Sequence, residues 1–198
     1  MAMPTGVEQW FVIQVQLGRD LAIWSQVDGG GMTLQSERLH TAAEVYPKKA
    51  VVTSTVYNDK VVFASRDYNM YQYDGFKWSI IEAFSDPRPG FAVSIQRRLA
   101  IAGMPGKRTV IDFSRVDNEA IFTDDEDAVA QQVTKASDID VGNIIGTADE
   151  IMGLGVFENS RLAVFTNDQT LIYNLHPDYT QWSIDDKSNI KVGTISHN

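Results

Sequence analysis

Cysteine is absent from the 198 residues, which excludes disulfides, thiolate metal sites and a cysteine nucleophile. Histidine is nearly so: His40, His176 and His197 lie far apart, with no H-x-H or H-x-x-x-H spacing from which a metal site is built. There is no N-x-S/T sequon. No apolar stretch approaches the ~20 residues of a membrane helix, so membrane insertion is not expected. The opening MAMPTGVEQW has no basic region leading into an apolar core, so no signal peptide is expected. Cationic charge is scarce as well. With 17 Lys and Arg against 26 Asp and Glu, the net charge of −9 argues against a tight grip on phosphate backbones, though not against DNA passing nearby without sticking.

What is present is an ordinary composition, 43% hydrophobic and 22% charged, long enough to bury one substantial core. Its dominant hydrophobic period is two, the period of strands. KAVVTSTVYNDKVVFASRDYNMYQYDGFKWSII reads as short β-rich runs broken by Asn-Asp, Arg-Asp-Tyr-Asn and Asp-Gly, which are turn sequences. The scheme recurs in FAVSIQRRLAIAGMPGKRTVIDFSRVDNEAIF and again in IMGLGVFENSRLAVFTNDQTLIYNLHPDYTQWSI.

Aligned on their second runs, these units superimpose as Val61–Ser65, Leu99–Gly103 and Leu162–Thr166. A fourth copy stands at Leu21–Ser25, preceded by WFVIQVQL. The repeat is about 40 residues, with the last interval about 25 residues longer, and each unit holds several short strands, the signature of propeller blades. One twisted sheet cannot bury both faces alone, whereas sheets stacked around an axis can, and Ala64, Ala102 and Ala163 permit close approach. Trp78, Phe122 and Trp182 follow the third runs at matching places and read as core filler. The expected architecture is therefore all-β: one propeller-like domain over 1–198 of antiparallel blades near 7–40, 49–83, 90–123 and 151–186, with 124–150 as an inter-blade insertion. Propellers close with four to eight blades, so about four blades imply part of a larger ring or a ring completed by another chain.

Candidate chemistry is thin. Gly29-Gly30-Gly31 lacks the Lys-Ser/Thr of a phosphate loop, and VGNIIG lacks the G-x-G-x-x-G frame. The run Asp124 to Asp127 lacks the D-x-D-x-D-G ladder of a calcium loop and reads as a solvated face. Glycoside hydrolysis needs two carboxylates across a cleft, and Asp112, Asp117, Glu119 and Asp149 are available, though their spacing is not set by sequence. No G-x-S-x-G elbow appears. Tyr71 and Tyr73 alternate onto one strand face within an aromatic group that includes Tyr68, Phe76 and Trp78, and packing is favoured over base or sugar stacking. No catalytic, cofactor-binding or metal residue is assigned, and no enzyme activity is expected.

In order, Arg98-Leu99, Asp112-Phe113-Ser114, Phe122, Ile139–Gly142, Asp149–Leu154, Arg161–Phe165, Leu171–Leu175 and Gly193–His197 follow a known series. The series resembles the propeller of podovirus tail nozzle or hub proteins (the tail tubular protein B type) and of related packaged-DNA stabilisation proteins. The resemblance covers residues 90–198 well and 45–90 loosely. It implies a virion structural protein, made in the host cytoplasm and built into a short tail. Its partners would be the adaptor or tail tube, the fibres and copies of itself in a ring, usually a hexamer, forming or closing the DNA-ejection channel. DNA would pass through without sticking, past a lumen that is neutral or negative. Family members are longer, which leaves a split gene or a partial ring open. A carbohydrate-binding or glycan-cleaving propeller is the alternative, with Tyr71 and Asp112 as its test positions.

Overall fold

A computed structural model describes residues 8–14, 21–27, 32–36, 51–75, 78–81, 88–122, 134–146, 148–185 and 191–193. The chain divides into two compact units, Met1–Ala50 and Val51–Asn198, rather than the single domain expected from the sequence. In the first unit, β1 (Glu8–Gln14), β2 (Leu21–Val27) and β3 (Met32–Ser36) form a three-stranded antiparallel meander, with Phe11 opposite Trp24 and Trp24 opposite Leu34.

The second unit is three four-stranded antiparallel sheets, each a meander in chain order. The first holds β4 (Thr53–Tyr57), β5 (Lys60–Ser65), β6 (Tyr68–Tyr73) and β7 (Trp78–Ile80). The second holds β8 (Phe91–Ile95), β9 (Arg98–Met104), β10 (Lys107–Phe113) and β11 (Ser137–Asp140). The third holds β12 (Ile151–Phe157), β13 (Arg161–Thr166), β14 (Thr170–Asn174) and β15 (Ser183–Ile184). The fold is all-β, and the sheets are propeller-like blades. Their first strands lie together, β4 against β8 and β8 against β12. Side chains stitch the first two: Thr53 Oγ1 donates to Gly90 O (3.1 Å), and Ser94 N donates to Thr55 Oγ1 (3.2 Å).

Stacking explains why the second strand of each repeat is a continuous apolar run instead of an alternating one. In β9, Leu99 and Ile101 join a cluster with Val62, Ala64 and Met70 of the preceding blade. Ala100 and Ala102, on the other face, join Leu162, Val164 and Leu171 of the following one. These four β9 residues, Leu99 to Ala102, are fully buried, because the middle sheet is covered on both sides. The pairing of alanines with larger residues across the junction lets the sheets interdigitate. Phe122 belongs to the first cluster, and Trp182 packs on Phe113 with ring centroids 4.5 Å apart in the second. The Trp78 side chain lies outside the described residues.

One boundary differs from the sequence expectation. The segment 124–150 is not wholly an insertion, since it contains β11, the outer strand of the second sheet. Ile139 pairs with Ile111 and Asp138 with Asp112. The strand reads Ser-Asp-Ile-Asp, with alternate residues exposed, and its charge suits an edge that must not pair further. That chemistry also hid it. The acidic run Asp124 to Asp127 lies outside the described residues. After β11, Gly142–Ile145 makes one helical turn, α1. Asp140 Oδ1 accepts from Gly142 N and Thr109 Oγ1 (both 2.8 Å), and a Cβ at Gly142 would sit 3.0 Å from that oxygen. The VGNIIG motif is thus a tight connector between blades.

Candidate functional site

The residues with most inter-blade bonding gather at two places, one on each face of the blade stack. On the first face lie the turns joining the first two strands of each blade. Their central residues all have positive φ: Asn58 and Asp59 (47° and 59°), Gln96 and Arg97 (49° and 61°), Glu158 and Asn159 (53° and 52°). Paired positive φ is the geometry whose twist matches a tight antiparallel hairpin. Asparagine and aspartate tolerate it, while Gln, Arg and Glu are held there against their preference.

The surrounding contacts hold them. Tyr57 Oη donates to Arg97 O (3.1 Å), tying the first blade to the second. Gln96 N donates to Asn159 Oδ1 (3.0 Å) and Gln96 Nε2 to Leu175 O (2.7 Å), tying the second to the third. Arg97 Nε donates to Asp117 Oδ1 at 3.0 Å in a two-pronged ion pair. Beneath it Arg98, 1% exposed, donates through Nη1 to Ser114 O (2.8 Å) and Lys135 O, its guanidinium 5.9 Å from the centre of the Trp182 ring. A cavity of about 530 Å³ opens here between Gln96, Arg97 and Arg98 on one side and Glu158, Asn159 and Ser160 on the other.

On the opposite face Arg66 spans all three blades. From the β5–β6 turn its guanidinium lies 5.3 Å from the Phe91 ring centre, donates to Ile151 O (3.0 Å) and approaches Glu150 (3.7 Å). Glycine at 90 makes room, because a Cβ there would stand 2.6 Å from Arg66 Cγ.

The carboxylates named from sequence are not gathered. Asp112 pairs with Lys107 (2.9 Å), Asp117 with Arg97, Glu119 with Lys60, and Asp149 with backbone and Asn167 donors. At Glu119 burial pushes the carboxyl up, and hydrogen bonds led by Lys60 outweigh it, leaving it below the usual range. At Asp149 burial also raises, while the Thr166 side chain, followed by Glu150 N (2.8 Å), Asn167 N (3.0 Å) and Asn167 Nδ2 (3.1 Å) on Oδ1, brings the net value down. Such carboxylates are structural acceptors held ionised, without the raised value of a general acid. Among the described residues no three His, Asp or Glu gather as a metal site. Tyr71 and Tyr73 share a face as expected and are buried, 8% and 7% exposed, so neither offers a stacking platform. Gly29 to Gly31, Phe76, His40 and His197 lie outside the described residues; His176 is exposed, and its Nδ1 accepts from Asp178 N.

The sequence placed Gln96 and Arg66 in turns, within Gln-Arg-Arg and Arg-Asp-Tyr-Asn, and gave neither a role. A polar side chain in a turn carries no local signal of the rings and carbonyls it will meet in the next blade.

No family model and no curated protein matches the sequence. Among solved structures, the crystal structure of HIRA(644-1017) is similar at 10% identity and a TM-score of 0.40, over 94% of this chain and 56% of that one. A structure of YCF48 bound to D1 peptide is similar at 10% identity and a TM-score of 0.33, over 84% of this chain and 62% of that one. The chain thus spans less than two thirds of the length of each.

Proposed function

We infer that the chain is a structural component of a tailed-phage short tail, a nozzle or hub subunit that forms or closes the DNA-ejection channel. The observation that carries this reading is how the residues of the tail-protein motif series are used. Ser114, fully buried, accepts from Leu99 N (2.9 Å) and donates to Arg115 O (2.8 Å). Asp149 holds the Asn167 turn, and Arg98 is spent on backbone carbonyls. These polar groups brace the second and third blades from within, with Arg98 also reaching the Trp182 ring of the next blade, and leave no reactive centre among themselves, which suits a structural scaffold.

Charge supports the same reading. The adjacent first strands TSTVY, FAVSI and IMGLGVF hold no charged residue, and the whole chain carries −9. A conduit lined in this way offers phosphate no cation to displace its counterions. Copies of the chain and the adaptor, tube and fibre proteins of a tail would be its partners, and the virion its location. The carbohydrate reading is not favoured, since its tyrosines are buried and its carboxylates are separately paired.

Negative-stain imaging of the purified chain, alone and mixed with adaptor and tail-tube proteins, tests the assignment. Rings or tail complexes are expected. Monomers in both preparations, together with a saturable glycan-array signal lost in Asp112→Asn, would replace it with the carbohydrate reading.

A further inference from the structure

We propose that the side of the third sheet turned away from the second is a docking site for a further blade, supplied by the β1–β3 sheet of a second copy of the chain, with Glu44 of that copy beside Arg161.

The three sheets repeat one another, so equivalent residues can be compared from blade to blade. In each, the last residue of the first strand pairs with the first residue of the second: Tyr57 with Lys60, Ile95 with Arg98, Phe157 with Arg161. In the first two blades the following blade covers this pair. Tyr57 is 2% exposed and donates to Arg97 O, and Ile95 is 1% exposed in the cluster shared with the third blade. Lys60 reaches Glu119 of the second blade, and the Arg98 guanidinium lies 5.9 Å from the centre of the Trp182 ring in the third. In the third blade the pair is open. Phe157 is 52% exposed, and Arg161 is exposed with no ion pair or ring contact among the described residues. One exposed aromatic is ordinary on a protein surface. An exposed one at a position that the next sheet buries twice over marks a missing neighbour.

The bulk on this side is conserved as well. In the second blade Phe91 and Val93 stand opposite Ala102 and Ala100, and all four pack toward the third blade. In the third, Gly153 and Gly155 stand opposite Phe165 and Ala163. The ring has moved from the first strand to the second and lies over the glycines, since a Cβ at Gly155 would meet Phe165 Cε2 at 3.2 Å. A packed face requires such a compensated exchange of large and small, and a solvated one does not. Phe165 closes the centre of the face, and Phe157 and Arg161 are left for an incoming sheet.

The occupant follows from the same comparison. At both observed junctions the arriving sheet brings a branched apolar pair on its second strand, Leu99 and Ile101 or Leu162 and Val164. It also brings a group beyond its third strand that meets the cation, Glu119 or Trp182. The β1–β3 sheet meets both requirements in sequence. Leu21 and Ile23 in β2 hold the repeat positions of the apolar pair, and Glu44 follows β3 at the distance at which Trp182 follows β14. A carboxylate there complements Arg161 as Glu119 complements Lys60. The contact is head-to-tail, the kind that builds rings of copies. It rests on the blade repeat and not on the tail assignment, which imaging with the adaptor and tube proteins tests separately.

Charge reversal supplies the test. Sedimentation velocity of the unaltered chain should show association with a dissociation constant of about 10 µM. Phe157→Ser and Arg161→Glu should each weaken it about tenfold, with Tm unchanged because both residues are exposed. Glu44→Arg alone should weaken it similarly, and mixing it with Arg161→Glu should restore association, because every junction in the mixed assembly again pairs opposite charges. The chain has no cysteine, so introduced ones report alone. Arg161→Cys and Glu44→Cys chains, mixed and treated with a short bismaleimide, should give covalent dimers that neither gives by itself. A chain that stays monomeric up to about 1 mM, association indifferent to Phe157→Ser and Arg161→Glu, reversed chains that stay apart when mixed, or no mixed cross-link would each overturn the proposal.

Discussion

Arg66 and Gly90 form a matched pair at the residue scale, one side chain crossing three sheets and one missing side chain that lets it pass. Gly90→Ala places a methyl against Arg66 Cγ, a stem atom that cannot swing aside as a chain end would, and should destabilise by ~1–3 kcal/mol. In an Arg66→Ala background the same change should cost less than half as much, since the two are coupled. Urea melts of the four proteins measure this. The titrating residues set the pH limits. Asp149 has a lowered value, so its contribution is present above the ordinary carboxyl value of 3.8 and is lost as pH falls through the folded one. Asp149→Asn should therefore be destabilising at neutral pH by ~1–2 kcal/mol and nearly silent in strong acid. Burial raises Tyr57, Tyr71, Tyr73 and Tyr173 above 10.0, which has the opposite sign. Their contribution is complete below the unfolded value and is lost as pH rises above it, so stability should decline on the alkaline side. Tyr57→Phe should flatten that decline and cost ~1 kcal/mol at neutral pH through the hydrogen bond to Arg97 O.

At the scale of elements, the three first-hairpin turns share a backbone and differ in what their side chains do. Asp59 is exposed at φ 59°, and Asp59→Gly should raise stability by ~0.5 kcal/mol by relieving the left-handed conformation. Asn159→Gly relieves the same strain at φ 52° yet removes the acceptor of Gln96 N, and it should be net destabilising by ~1 kcal/mol in the same melts. Strands of this kind were legible in the sequence. Val61–Ser65, Leu99–Gly103 and Leu162–Thr166 fall in β5, β9 and β13, because burial on both faces writes an unbroken apolar run. β11 was not legible: as an exposed edge it buries little, and its aspartates resemble the acidic run that precedes it in the sequence. The site was less legible still. The motif residues drew attention to Ser114 and Asp149, while the cavity depends on φ values and on which turns become neighbours, and neither leaves a local trace in composition.

For the whole molecule, the central claim is that β4 to β15 form one cooperative wall whose polar groups hold blade to blade. The two core clusters share β9, with Leu99 and Ile101 in one and Ala100 and Ala102 in the other, so neither interface can open without disturbing the middle sheet. Arg66 on one face, and Tyr57 with Gln96 on the other, close the same junctions at both ends. Native-state hydrogen exchange at Val62, Ile101 and Val164, each fully buried on the second strand of its blade, reads this directly. The three amides should exchange with one free energy and one denaturant dependence, that of global unfolding. Blades that exchange separately, with Val164 or Val62 opening well below Ile101, would contradict a single wall.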